Sequence, residues 1–321
     1  MNRKIRISGL FAAALLAAAG CQDDFYVFED SASERIASEL DKYEQVLLDG
    51  RTWVLEYFPS EELEYGGWMY VLQFNEDHTV RAWFEGETFA DDENIQTPYA
   101  VEHSTGPMLK FVNYNDYLHY FSFPGANGGF QGYKGDYEFT FMSLEYTPEP
   151  LITLRGIKTE NYMSMYPLPE GYTPEEYVAA VRDFEKDVAP LNMKLMVNGK
   201  QYGTVSRTYA FREDDFEHCF ESKIWTISYT YAQQKTDSMG EPVFDDITGE
   251  PVYEDVQVND KLAFLHYPDG TMRLYEPYTF KGEVEGLVDQ TIQTFRWVEG
   301  TVSTADYFVC TDSLLEIRFE Q

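Results

Sequence analysis

The chain has 321 residues, with 56 acidic side chains against 24 lysines and arginines and a formal charge of −32. Such a surface repels phosphate backbones and anionic headgroups, which argues against nucleic acid as a partner. Aromatic residues make up 17% of the chain, with 25 Tyr and 23 Phe, and that composition favours strands.

Arg3, Lys4 and Arg6 form a positive N-terminal region, Ile7 to Ala19 an apolar core, and Gly20-Cys21 follow. The core is too short to cross a bilayer as a helix, which takes about 20 apolar residues. Its layout is that of a secretory signal with small residues before the cut, over residues 1–20. Small residues running up to a cysteine resemble the lipobox of bacterial lipoproteins, which implies cleavage before Cys21 and acylation of its thiol, as by palmitate. The third position before the cysteine, commonly leucine, is Ala18 here. Several acyl chains bury enough methylene groups for stable attachment. Gln22-Asp23-Asp24 resembles the acidic signal that sends lipoproteins of Bacteroidetes to the outer face of the outer membrane, so residues 21–30 are read as a lipidated acidic tether. Cleavage leaves 21 basic against 56 acidic residues, a charge of −35. Of the cysteines, Cys219 and Cys310 then remain, both in strand-like runs. The compartment permits a disulfide, and their wide separation also fits two buried thiols.

The first element is a helix over about residues 32–48. Ser31 and Glu34 make a capping box, Ile36, Leu40, Tyr43 and Leu47 recur at helical spacing, and Gly50 ends the run. From Thr52 the period changes to two: Trp68, Tyr70, Leu72 and Phe74 share one face, and Val80, Ala82 and Phe84 share one after the turn at Asn75–His78. Further strands are expected at 108–112, 117–123, 136–142, 151–157 and 162–166, separated by Gly, Pro and Asn. Residues 31–168 thus form a helix plus an antiparallel β module. A second helix bridges the modules over 169–190: Thr173 is its N-cap, Pro174 its first residue and Glu176 its third, and Tyr177, Val181, Phe184 and Val188 make the stripe. Residues 191–321 form a second β module, with hairpin turns at Asn198-Gly199 and Pro268-Asp269-Gly270. Between its strands, Gln233 to Val258 is acidic and reads as a long exposed hairpin or loop. The fold class is mainly β: two antiparallel sheet or barrel-like modules with two amphipathic helices.

Several stretches together resemble one family: "SASERIASELDKYEQVLLDGRTWVLEYFP", "YVLQF", "GPMLKFVNYNDYLHYFSFP", "GDYEF" and "LRGIKTEN". They are similar to the Bacteroidetes surface lipoproteins of domain-of-unknown-function family 4302, from about Phe25 to Tyr166. The resemblance implies an accessory lipoprotein associated with outer-membrane nutrient uptake. It implies no established activity.

Motifs for catalysis are sparse. Asp136 and Glu138, two apart on an expected strand, would lie about 7 Å apart on one face, a spacing that overlaps that of inverting glycosidases. Alternating acids opposite Tyr137, Phe139 and Phe141 are equally a solvated sheet face. The five histidines fall at no metal-ligand spacing, and Asp245, Asp246, Glu250, Glu254 and Asp255 form no EF-type loop, so no metal is expected. No G-x-S-x-G, P-loop or G-x-G-x-x-G is present, and no cofactor is expected. The functional hint is aromatic. Trp83 lies off the face of Val80, Ala82 and Phe84, and Tyr114, Tyr117 and Tyr120 cluster with Asn113, Asn115, Asp116 and His119 in "NYNDYLHY". Flat rings beside amides and carboxylates suit sugar rings or peptide side chains, and cross-strand ladders use tyrosine in the same way. The expected function is non-catalytic: a lipid-anchored surface protein that captures a glycan or peptide, or serves as an accessory subunit of an outer-membrane uptake system. The rival is a secreted hydrolase using Asp136 and Glu138.

Overall fold

The computed structural model describes residues 30–86, 95–124, 132–146, 148–188, 192–208, 222–282, 287 and 290–321. The expected signal, Cys21, the tether before residue 30 and Cys219 lie outside them. The chain divides into two compact units, Met1–Glu39 and Leu40–Gln321. In the described part of the first unit, helix α1 (Ala32–Leu47) begins as its capping box requires. The Ser31 backbone N–H donates to Glu34 Oε2 at 2.9 Å, and the Glu34 N–H returns a bond to Ser31 Oγ at 3.3 Å.

Within the second unit the chain closes two eight-stranded antiparallel barrels. The first contains β1 (Thr52–Tyr57), β2 (Trp68–Phe74), β3 (Thr79–Phe84), β4 (Gln96–His103), β5 (Pro107–Phe111), β6 (Glu138–Tyr146), β7 (Pro150–Gly156) and β8 (Tyr162–Pro167). It closes where β1 pairs with β8 in the register Val54↔Tyr166. Helix α2 (Pro174–Asp187) follows. The second barrel contains β9 (Asn192–Val197), β10 (Lys200–Thr208), β11 (Ile224–Gln234), β12 (Tyr253–His266), β13 (Thr271–Thr279), β14 (Thr291–Val298), β15 (Tyr307–Cys310) and β16 (Ile317–Glu320). It closes where β16 pairs with β9 in the register Arg318↔Met196. Each strand pairs with its neighbours in sequence, so both are up-and-down meanders, and closure leaves neither sheet an open edge.

The period of two fills the first barrel. Trp68, Tyr70, Leu72 and Phe74 of β2 and Val80, Ala82 and Phe84 of β3 point into its core. Tyr43, Val46 and Leu47, at the end of α1, join them, with the Tyr43 ring stacked on Phe141 at 4.1 Å. The opposite faces of β1 and β2 are buried too, because Val54, Met69 and Val71 meet Tyr177, Val178 and Val181 of α2 and Leu265 of β12. Helix α2 starts at the Thr173–Glu176 capping box and Pro174. Its stripe serves both modules: Phe184 and Val188 pack on the second core.

Turn chemistry explains the connection from β9 to β10. Asn198 and Gly199 have φ of 48° and 78°, the left-handed pair that a two-residue hairpin needs. The stretch Gln233–Val258 is a hairpin: β11 and β12 stay paired out to Gln234↔Tyr253, and beyond that an arm folds through bridges at Thr236↔Pro242 and Phe244↔Pro251.

One expected strand is not one. Residues 117–123 form tight turns because the side chain of Asn115 caps them. Its Oδ1 accepts from the backbone N–H of Tyr117 and of Leu118, each at 3.0 Å, and the His119 N–H bonds back to the Asn115 carbonyl. The segment carries Tyr117, Leu118 and Phe121 into the first core.

Candidate functional site

The loop from β1 to β2 and the end of β3 press against the second barrel. Gly66, at φ +69°, lies so close to Lys223 that an added Cβ would stand 2.2 Å from the Lys223 carbonyl oxygen. A side chain there would separate the barrels. The Gly67 N–H donates to the Phe264 carbonyl at 3.0 Å, and Ser222 Oγ donates to the Glu64 carbonyl at 2.8 Å. Charges are buried in the same contact. Lys223 Nζ pairs with Glu85 and lies 4.6 Å from the Trp68 ring centroid. Glu185 of α2 pairs through one oxygen with Arg207 and through the other with His266 Nδ1. Arg182 Nε donates to the Glu85 carbonyl at 2.8 Å. These groups clamp the two barrels and α2 together.

Beside this contact the barrels leave an open cleft of about 460 Å³. Its floor is Glu56 of β1, only 2% exposed, and Tyr177 of α2. Glu56 enters an otherwise apolar strand because two groups of the other barrel meet it. Tyr267 Oη donates to Oε1 at 2.7 Å, and Arg273 of β13 pairs with Oε2. Burial is the largest single influence on Arg273 and opposes its charge, but the Glu56 carboxylate together with Tyr267 and Tyr166 raises the guanidinium pKa on balance. Arg273 also lies over the Tyr267 ring, 5.8 Å from its centroid. The walls are Tyr166, Tyr172 and Tyr267, with Pro169 and Pro268, while Asp269 stands exposed at the rim. Burial raises the phenol pKa of Tyr166 and of Tyr267 well above the usual value, so both hydroxyls stay protonated and able to donate. Tyr166 Oη lies 3.4 Å from Tyr177 Oη, and the Tyr172 ring meets Tyr177 edge-on at 5.5 Å. A concave, mostly apolar site with a few convergent polar groups, at the junction of two modules, is the usual form of a ligand pocket.

The residues singled out by sequence lie elsewhere and do not form one site. Trp83 points out of the first barrel toward α2, and its Nε1 donates to Glu175 Oε1 at 2.8 Å. Tyr114 is 54% exposed, its ring centroid 5.7 Å from His119 and 5.8 Å from Phe123, and His119 stacks on Tyr137 at 4.9 Å. Partial burial, with Asp116 beside the hydroxyl, pushes the Tyr114 phenol up to about 12. Burial lowers the His119 pKa, and its Nδ1 accepts from the Asn115 N–H at 3.1 Å. Tyr117 belongs to the core, and the half-buried Tyr120 packs against it beside Phe84 and Tyr133.

Asp136 and Glu138 do not share a strand face. The strand begins at Glu138, and Asp136, 3% exposed, turns its carboxylate to a backbone turn. Its Oδ1 accepts from the Lys158 N–H at 2.7 Å; its Oδ2 accepts from the Thr159 N–H at 3.0 Å and Thr159 Oγ1 at 2.6 Å. Gly156 makes room, since a Cβ there would stand 2.2 Å from Asp136 Oδ2. Glu138 pairs across the sheet with Lys110 at 2.5 Å. Cys310 is a free, buried thiol that donates to Asp312 Oδ1. Among the described residues no three His, Cys, Asp or Glu side chains converge as a metal site.

The cleft residues escaped sequence reading because they come from β1, β8, the loop before α2, α2 itself, the turn between β12 and β13, and β13. One signal was available: Glu56 is a lone carboxylate in "TWVLEYF", where both faces are otherwise apolar, and such a charge needs a partner from elsewhere in the fold.

These observations define a mainly β protein of two closed barrels with an aromatic cleft between them. The family model described as "Domain of unknown function (DUF4302)" matches residues 24–282, and the chain belongs to that family. No curated protein and no solved structure matches it. No helix among the described residues is long and apolar enough to cross a membrane.

Proposed function

We propose that this protein is a surface lipoprotein, held to the outer membrane through acylated Cys21, that captures a glycan or peptide in the cleft between its barrels. It does so without chemistry, as an accessory subunit of an outer-membrane uptake system. The observation that carries the reading is the cleft itself: tyrosine faces above a buried Glu56 paired with a half-exposed Arg273, open to solvent. The sequence from Arg3 to Asp24 supports the anchor and the outward-facing location. Hydrolysis by Asp136 and Glu138 has weaker support, since the first carboxylate is spent on a turn and the second on Lys110.

Two experiments test the reading. The purified protein is screened by direct binding against glycan and peptide arrays. A specific hit lost in Tyr172→Ala supports capture in the cleft, and hits indifferent to that change overturn it. In cells, Cys21→Ser should release the protein from the membrane fraction, and protease added to intact cells should degrade the unaltered protein. Full protection overturns the surface location.

A further inference from the structure

We infer that the ligand of the cleft is a neutral saccharide, an assignment that rests on the cleft being the binding site. Charge is the first argument. Both oxygens of Glu56 are taken by Arg273 and Tyr267, so the floor is already neutralised from within. A cationic ligand would have to displace Arg273, which also occupies the Tyr267 face where an ammonium group would sit. An anionic ligand would have to draw Arg273 away from a buried carboxylate, past Asp269 at the rim and against a chain charge of −32. A ligand without net charge disturbs none of this.

Topology is the second argument. An extended peptide commonly gains affinity by adding a strand to an exposed sheet edge, and here both sheets are closed. An amphipathic helix needs a long apolar groove, whereas this cleft is compact and interrupted by Asp269, Thr271 and Arg273. What the cleft offers is flat phenol faces with polar groups beside them: the Tyr166 hydroxyl, the Tyr267 oxygen as an acceptor, the outer guanidinium N–H groups of the half-exposed Arg273 and the Asp269 carboxylate. A pyranose has that pattern in reverse, with C–H faces to lie on rings and hydroxyls at its margin to meet a planar fork or a carboxylate.

The test is calorimetric titration of the full chain with a panel of neutral oligosaccharides, with decaproline and with hexalysine. At least one neutral oligosaccharide should bind, with affinity little changed between about 0.05 and 0.5 M salt. Tyr172→Ala should weaken it by about tenfold, and Tyr172→Trp should keep it. Tyr172 is exposed, so neither change threatens the fold. If decaproline or hexalysine binds in a Tyr172-dependent way and no saccharide does, the saccharide assignment falls and capture in the cleft stands. If no probe binds, or if binding ignores Tyr172, both fall.

Discussion

Lys223 of the second barrel and Glu85 of the first form an ion pair in which each side chain is 2% exposed. Burial raises the pKa of Glu85 and lowers that of Lys223, each partner opposing the shift of the other. Glu85 Oε2 finds no hydrogen-bond partner among the described residues, so the pair has nothing in reserve. Lys223→Met alone should cost about 3–5 kcal/mol, because it leaves a buried carboxylate unpaired. Replacing Glu85 by Gln as well should recover most of that loss. Urea unfolding of the two variants measures the difference, and a double variant as weak as the single one would refute the account.

Stability should fall as the solution is acidified, and His266 should cause part of the fall. Burial comes first, then the cations Lys223 and Arg207, in holding its pKa well below 6.5. Glu185 does not reverse this, because its other oxygen already serves Arg207. With the folded value depressed, the stability is complete above the unfolded value of about 6.5. It is lost as pH drops from there toward the folded value, since the unfolded chain takes up a proton that the folded one refuses. His266→Phe, which suits a site among Phe184, Phe264 and Phe308, should flatten the dependence of the urea midpoint between about pH 7 and 5. An unchanged slope counts against it.

Asp136 and Glu138 should prove unequal. Asp136→Asn turns an amide toward donors and should cost about 1–3 kcal/mol in thermal or urea unfolding. Glu138→Gln removes a half-exposed ion pair and should cost less. Neither change should alter ligand binding. Any hydrolysis abolished by both would restore the catalytic reading.

The segment 117–123 should behave as core. Phe121, fully buried against Tyr57, Trp68 and Phe84, should cost about 3–5 kcal/mol as Phe121→Ala. Tyr114→Ala, at the exposed end of the same turn, should stay within about 0.5 kcal/mol. Equal losses at the two positions would contradict this placement.

Alternation and caps made much of the fold legible. Trp68, Tyr70, Leu72 and Phe74 do face one core, and Thr173, Pro174 and Glu176 do start a helix. The strand expected at 117–123 failed because its aromatic density is a core property shared by turns that plug a barrel, while the deciding group was one amide, Asn115. The cleft was illegible for a different reason. Glu56, Tyr267 and Arg273 meet only after both barrels close, and separations beyond 200 residues leave no periodic trace.

The arm between β11 and β12 is held by turns of its own. Its tip reads "DSMGEPVF" and then "DDITGEPVY", two turns of similar sequence that differ by one residue in length. Each is headed by an aspartate that accepts backbone N–H groups: Asp237 from Met239 and Glu241, Asp245 from Ile247 and Thr248. Each turn is therefore held by bonds internal to the arm, and none of these bonds reaches the barrel wall. A segment held in this way can change in length or sequence while the barrel beneath it keeps its register. A change in the arm's length would leave the pairing of β11 with β12 near the barrel intact.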